Sequence, residues 1–213
     1  MSDHVPHDAK SHPHAHAHTL SPFARRSEAI ASLLIEKGLF TTDELRREVE
    51  GWARRSPADG ARLVARAWVD PEFKARLKAN PKAAAAELGI DATTSAELVV
   101  AENTETVHHL VVCTLCSCYP RTLLGIPPDW YKSLPYRSRV VTDPRGVMKE
   151  FGLELPDSVE VRVLDSTADM RYLVLPRRPP GTDHLTEEEL AQLVTRDSMI
   201  GVADPEYSAP AGA

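Results

Sequence analysis

The 213-residue chain has three cysteines, Cys113, Cys116 and Cys118, and all of them fall within VVCTLCSCYP, residues 111–120. Cysteines used for core packing or a disulfide framework would scatter, so an odd, local set points to metal or redox chemistry. A zinc site wants four tetrahedral ligands, from two Cys-x-x-Cys pairs or one pair plus distant histidines. No second pair exists, and His108 and His109, adjacent on a β-rich run, face opposite ways, so at most one could turn toward the loop. A thioredoxin-like pair could use Cys113 and Cys116, but it leaves Cys118 unexplained and should open a helix. A third arrangement enlists the backbone. If the main chain folds tightly enough for three sulfurs to reach one ion, the peptide nitrogens of Ser117 and Cys118 come within reach too. Deprotonated, they complete a five-ligand claw with one open position.

Charge sharpens that option. Three sulfurs and two amidates bring about five negative charges to a trivalent ion, a net charge near about −2 in a partly buried site. Such a loop needs cations around it. Arg121 is close in sequence, and further arginines are expected from a partner chain.

The elements that must hold this loop can be read from the flanking sequence. Ser21-Pro22 is an N-cap and first turn ahead of Ala29, Ile30, Leu33 and Leu34, with Lys37-Gly38 as the stop. Thr42-Asp43-Glu44-Leu45 opens a second helix whose stripe of Leu45, Val49 and Trp52 lasts until Ser56-Pro57. A third is expected from Pro57 to Val69, and Asp70-Pro71-Glu72 and Asn80-Pro81 begin shorter pieces. The period then changes: Glu97 to Glu102, Val107 to Val112, Val159 to Leu164 and Met170 to Pro176 read as strands. Helices are expected from Pro128 to Tyr131, near Pro144 to Phe151, and last from Thr186 to Val194, where three glutamates match the positive end of the dipole. The fold class is therefore α+β: a helical N-terminal arm over residues 22–90 and a metal-binding catalytic domain over 91–205.

Composition sets the outer limits. With 42% apolar residues the chain can build a core, and a net charge of −6 argues against a nucleic-acid binder working through a basic face. No apolar run approaches the roughly 20 residues that span a bilayer, so no membrane role and a cytoplasmic location are expected. Residues 1–21 hold six of the nine histidines (His4, His7, His12, His14, His16 and His18) without apolar periodicity, and read as a disordered tail, either inert or able to capture late first-row ions. Residues 206–213 read as a flexible C-terminal tail. GxGxxG, GxxxxGK[ST] and a serine nucleophile elbow are all missing from the sequence.

The run ENTETVHHLVVCTLCSCYP, followed by LLGIPPDWYK, YRSRVV, DPRGV, RYLVLPRRPPGT and LVTRDSMIGV, resembles the alpha subunit of nitrile hydratase over roughly Ile30 to Ala203. That resemblance implies a four-layered α-β-β-α domain, an arm wrapping a beta-type subunit, an α2β2 heterotetramer and a cobalt-loading activator protein. It implies metal held by Cys113, Cys116, Ser117 and Cys118, with Cys116 oxidised to sulfinic acid, Cys118 to sulfenic acid, and Cys113 left as thiolate. Cys118 and Cys116 would be the catalytic residues, converting nitriles to amides at a non-corrin Co(III). Thr114 and Tyr119 resemble the cobalt subfamily, with Fe(III) as the alternative ion.

Departures from the family pattern concern the substrate. Arg121 stands where the family usually has a tryptophan, exchanging an apolar wall for a charge that favours an anionic or strongly polar substrate. In this it resembles the gamma subunit of thiocyanate hydrolase, which converts thiocyanate to carbonyl sulfide and ammonia. Thr114, Tyr119 and Arg121 are the pocket candidates, and Thr94 aligns loosely with a family glutamine. Trp130 and Tyr131 read as packing residues, Arg171 and Arg196 as partners in structural ion pairs, and Arg177-Arg178 as a solvated turn. A zinc-binding or metallochaperone-like module is the non-enzymatic alternative.

Overall fold

The structure, a computed structural model, describes residues 21–208. The histidine-rich segment and the end of the expected C-terminal tail lie outside the described residues. Two compact units divide the chain at Val49 and Glu50.

The first unit holds α1 (Pro22–Glu36) and the start of α2 (Thr42–Arg54). Ser21 Oγ accepts from the Ala24 amide at 3.1 Å, and the helix stops at Gly38, whose φ of +70° suits a residue without a Cβ. Thr41, one residue before the expected start of α2, caps it reciprocally with Glu44. Neither helix buries a residue, and Phe23, Ile30, Leu33 and Val49 stay exposed.

In the second unit, α3 (Pro57–Val69), α4 (Pro71–Ala79) and α5 (Pro81–Glu87) repeat one device: a Ser, Asp or Asn cap followed by proline at the first helical position. Four strands follow: β1 (Glu97–Glu102), β2 (Val107–Val112), β3 (Glu160–Asp165) and β4 (Met170–Leu175). β1 pairs in parallel with β4, and β2 in parallel with β3, so that Val112 lies opposite Asp165. Parallel pairing needs a long crossover, and the segment between β2 and β3 supplies one, with the cysteine loop at its start. Val100, Leu110, Val111, Val112, Leu173, Val174 and Leu175 form one core with Leu63, Phe73, Leu77 and Met199. Thus α3 to α5, which the sequence places in the helical arm, belong to the second unit and pack on one another, with α4 and α5 against β1.

The crossover contains α6 (Arg121–Leu124), α7 (Asp129–Lys132), α8 (Leu134–Arg139) and α9 (Pro144–Glu150), and β4 leads to α10 (Glu187–Leu193) and α11 (Arg196–Ile200). Of these, α6, α8 and α11 were not expected, because helices of four to six residues are too short to display a 3.6-residue period. The helix capped by Thr186 is therefore not the last. A second capping box, Thr195 with Ser198, opens α11.

Candidate metal centre

β2 delivers Cys113 into the interior, where it is fully buried, and the chain then surfaces through Thr114, Leu115 and Cys116 before returning at the buried Tyr119. The sulfurs of Cys113 and Cys116 are 3.5 Å apart, those of Cys116 and Cys118 3.3 Å, and all three lie within 4.8 Å of one another. The Cys116 amide donates to the Cys113 sulfur at 3.2 Å. A metal–sulfur bond of about 2.3 Å sets sulfurs at right angles about 3.25 Å apart and tetrahedral ones about 3.75 Å apart. One of these two edges matches the first value and the other falls between the two, so both are shorter than a tetrahedral site requires. The three sulfurs could together hold a single small metal ion.

Contact with Cys118, then the Ser117 amide and Cys113, lowers the Cys116 thiol to about 7, while burial, then contact with Cys116, pushes Cys118 up to about 12. Arg171 opposes that rise by favouring the Cys118 thiolate.

Four side chains that sequence reasoning did not assign to the site hold either its backbone or the strand that leads into it. Arg137 of α8 donates from Nε to the Cys113 carbonyl at 3.1 Å and from Nη2 to the Thr114 carbonyl at 2.7 Å. Asp165, ending β3, accepts the Thr114 amide at 2.9 Å and the Thr114 hydroxyl at 2.5 Å. Tyr131 donates to the Cys118 carbonyl at 2.7 Å, and Tyr136 to the Val111 carbonyl at 2.7 Å. Both rings belong to an edge-on aromatic stack in which Trp130 lies 4.8 Å from Tyr136 and 4.8 Å from Phe151. Packing thus accounts for Trp130, whereas Tyr131 also holds the loop. The YRSR and DWYK runs were visible in the sequence, but which carbonyl each side chain reaches depends on where α7 and α8 lie.

Beside the sulfurs opens a cavity of about 340 Å³ lined by Cys116, Ser117, Cys118, Tyr119 and Arg121, and by the distant Trp52, Thr94, Leu98 and Arg171. No carboxylate lines it, so its charge comes from two guanidiniums. Thr114 is outside this lining, its hydroxyl committed to Asp165. Arg171 and Arg196 do not form the ion pairs expected of them: among the described residues neither has a carboxylate within 4 Å, and Arg171 faces the cavity. The Tyr119 hydroxyl and Arg196 Nε are both buried without a partner, and burial raises the Tyr119 phenol well above its usual range.

The histidines are not at the sulfurs. His108 is buried, its Nε2 donating to the Gly201 carbonyl at 2.7 Å, which leaves Nδ1 to accept from Asn103 at 3.1 Å. His109 turns to Asn103 Oδ1. In the turn after β4, Arg178 is half-buried, bonded to the Thr182 hydroxyl and carbonyl, and only Arg177 is solvated.

Known proteins resemble this chain in sequence and fold. The family described as nitrile hydratase, alpha chain, matches residues 21–203. The low-molecular weight cobalt-containing nitrile hydratase subunit alpha of Rhodococcus rhodochrous is 52% identical over 183 residues, covering 85% of this chain and 88% of the relative. The cobalt-containing nitrile hydratase subunit alpha of Pseudonocardia thermophila is 53% identical, covering 83% and 88%. Thiocyanate hydrolase subunit gamma of Thiobacillus thioparus is 45% identical, covering 87% and 81%. Among solved structures, a double mutant of the Fe-type nitrile hydratase from Comamonas testosteroni Ni1 superimposes with a TM-score of 0.80 at 43% identity, over 90% of this chain and 96% of that one. A thiocyanate hydrolase mutant gives 0.82 at 44%, over 88% and 91%. Fold and identity along most of the chain agree, and the chain belongs to the nitrile hydratase alpha chain family.

Proposed function

We propose that this chain is the metal-bearing subunit of an enzyme that hydrates nitriles to amides, with a non-corrin Co(III) held by the sulfurs of Cys113, Cys116 and Cys118 and the main-chain nitrogens of Ser117 and Cys118. One observation carries the reading: three cysteine sulfurs gathered within 4.8 Å of one another on a single short loop. About half-identity to cobalt-containing alpha subunits favours cobalt over iron. Bound there, the ion supplies Lewis acidity toward a nitrile or a water. Cys116 as sulfinate and Cys118 as sulfenate place oxygens at the cavity wall, and the Cys118 oxygen takes a proton from water or attacks the nitrile carbon. Arg121 and Arg171 orient the polar end of the substrate, and Trp52 and Leu98 cover its apolar part.

A partner completes the molecule. The apolar residues that α1 and α2 leave exposed suit a beta-type subunit, whose arginines would meet the oxidised Cys116 and Cys118, in an α2β2 assembly loaded by an activator protein. The two sheets with helices beside them support a four-layered α-β-β-α domain. Among the described residues no helix is long and apolar enough to cross a membrane, in keeping with a cytoplasmic enzyme.

A second reading, thiocyanate hydrolysis, is favoured by the two guanidiniums and the lack of carboxylates in the cavity. Coexpression with the neighbouring subunit genes in cobalt medium, followed by assay of amide from nitriles beside carbonyl sulfide from thiocyanate, separates the two. Mass spectrometry of the 113–118 peptide should find two added oxygens on Cys116 and one on Cys118. Unmodified thiols in an active, cobalt-loaded enzyme would sink the oxidised-claw chemistry.

A further inference from the structure

We infer that Arg137 and Asp165 are positioning residues of the metal centre, a clamp that fixes the Cys113–Thr114 backbone and so keeps the three sulfurs of the loop together. The inference rests on the metal-centre reading above.

The loop from Cys113 to Cys118 has no helix or strand of its own, and Thr114, Leu115 and Cys116 are exposed. With no ladder or helical turn to fix its course, such a loop is free to open. Arg137 opposes this with a planar fork: its Nε and Nη2 reach two successive carbonyls, Cys113 at 3.1 Å and Thr114 at 2.7 Å, through charge-assisted bonds. Asp165 holds the same residue from its other groups, accepting both the Thr114 amide and its hydroxyl. Thr114 is thus fixed through N–H, O–H and C=O, and the direction of the next peptide follows.

Each arm is anchored by the fold rather than by the loop. Asp165 is in register with Val112, the residue before Cys113, and the Ser166 amide continues the ladder to the Val112 carbonyl at 2.7 Å. Arg137 follows Tyr136, a buried ring packed edge-on against Trp130 at 4.8 Å. A guanidinium and a carboxylate together add no net charge, so the clamp shapes the loop and leaves compensation of its negative charge to other cations. Neither residue lines the cavity, which separates them from groups that touch substrate.

The test uses the full chain in complex with its coexpressed partner, prepared without metal. Anaerobic titration with Co(II), followed by the thiolate-to-cobalt charge-transfer band, gives the dissociation constant. Removing hydrogen bonds that orient ligands typically weakens metal binding about 10–100-fold, so Arg137→Met should fall in that range, with Arg137→Lys and Asp165→Asn between it and the parent. Arg139→Met, on the same helix but paired with Glu150, should bind as the parent does. Thr114→Val, which removes only the hydroxyl donated to Asp165, should weaken binding severalfold and serves if the Arg137 variants do not fold. Folded Arg137→Met and Thr114→Val proteins that bind Co(II) with parental affinity and an unshifted band overturn the clamp. A parent protein that binds no cobalt overturns the metal reading itself.

Discussion

Replacing Tyr131 by Phe isolates one hydrogen bond beneath the metal loop. The ring is fully buried, 5.1 Å from Tyr119 and 5.9 Å from Trp130 in edge-on contact, so Phe keeps the packing and loses only the hydroxyl. That hydroxyl donates to the Cys118 carbonyl at 2.7 Å, and no other donor reaches this carbonyl among the described residues. An orphaned carbonyl costs about 1–3 kcal/mol, partly offset because the phenol no longer needs desolvating, so a net loss of about 1–2 kcal/mol is expected. For a chain of this size that lowers Tm by about 2–8 °C. Burial raises the Tyr131 phenol far above its usual range, so it remains a donor at any working pH. Tyr136→Phe is the matched control, removing an equally short bond to Val111, a carbonyl of β2 outside the loop. Both variants should melt earlier, but only Tyr131→Phe should lower kcat, by about tenfold if the lost 1.4 kcal/mol falls on the transition state, with KM little changed. Thermal unfolding and steady-state kinetics on the two complexes decide it. Equal kcat losses in both, or none in Tyr131→Phe alongside a normal Tm, would refute the idea that this bond sets the position of Cys118.

Two further outcomes concern stability. Gly201 has φ +90°, and a Cβ there would land on the His109 carbonyl and come 3.2 Å from Leu110 Cα, so Gly201→Ala should cost about 3 kcal/mol or more and be visible as a lower urea midpoint. Burial raises the Glu102 carboxyl, but hydrogen bonds from Lys78 and Lys74 outweigh it and the net shift is downward. A folded pKa below the unfolded one means the contribution is present above about pH 4.3 and is lost as pH falls through the folded value. Glu102→Gln should therefore lower stability at neutral pH and bring it close to the parent in strong acid, as read from urea unfolding against pH.

Chemistry and elements were legible to different degrees. Helix starts were the clearest, since Ser21-Pro22, Ser56-Pro57, Asp70-Pro71 and Asn80-Pro81 each combine a side-chain cap with a residue that cannot continue a ladder upstream. Strand bounds at Glu97–Glu102 and Val107–Val112 followed from their β-rich composition. The helices α6, α8 and α11 escaped notice because their burial comes from neighbours rather than from a stripe of their own. The arginines divided in the same way: Arg121 was marked by its neighbours in the motif, whereas Arg137 and Arg171 owe their roles to carbonyls and a cavity brought close by the crossover.

By itself the sequence placed three cysteines within six consecutive residues, near enough for one short loop to bring their sulfurs together. Tertiary structure decided what surrounds that loop. Parallel pairing of β2 with β3 places Asp165 opposite Val112, packing of α8 brings Arg137 to two carbonyls, and the fold gathers Trp52, Thr94 and Arg171 around the same sulfurs. Contacts across such separations leave no local periodicity or spacing in the chain, since they arise from burying the shared core rather than from any preference of the residues that meet.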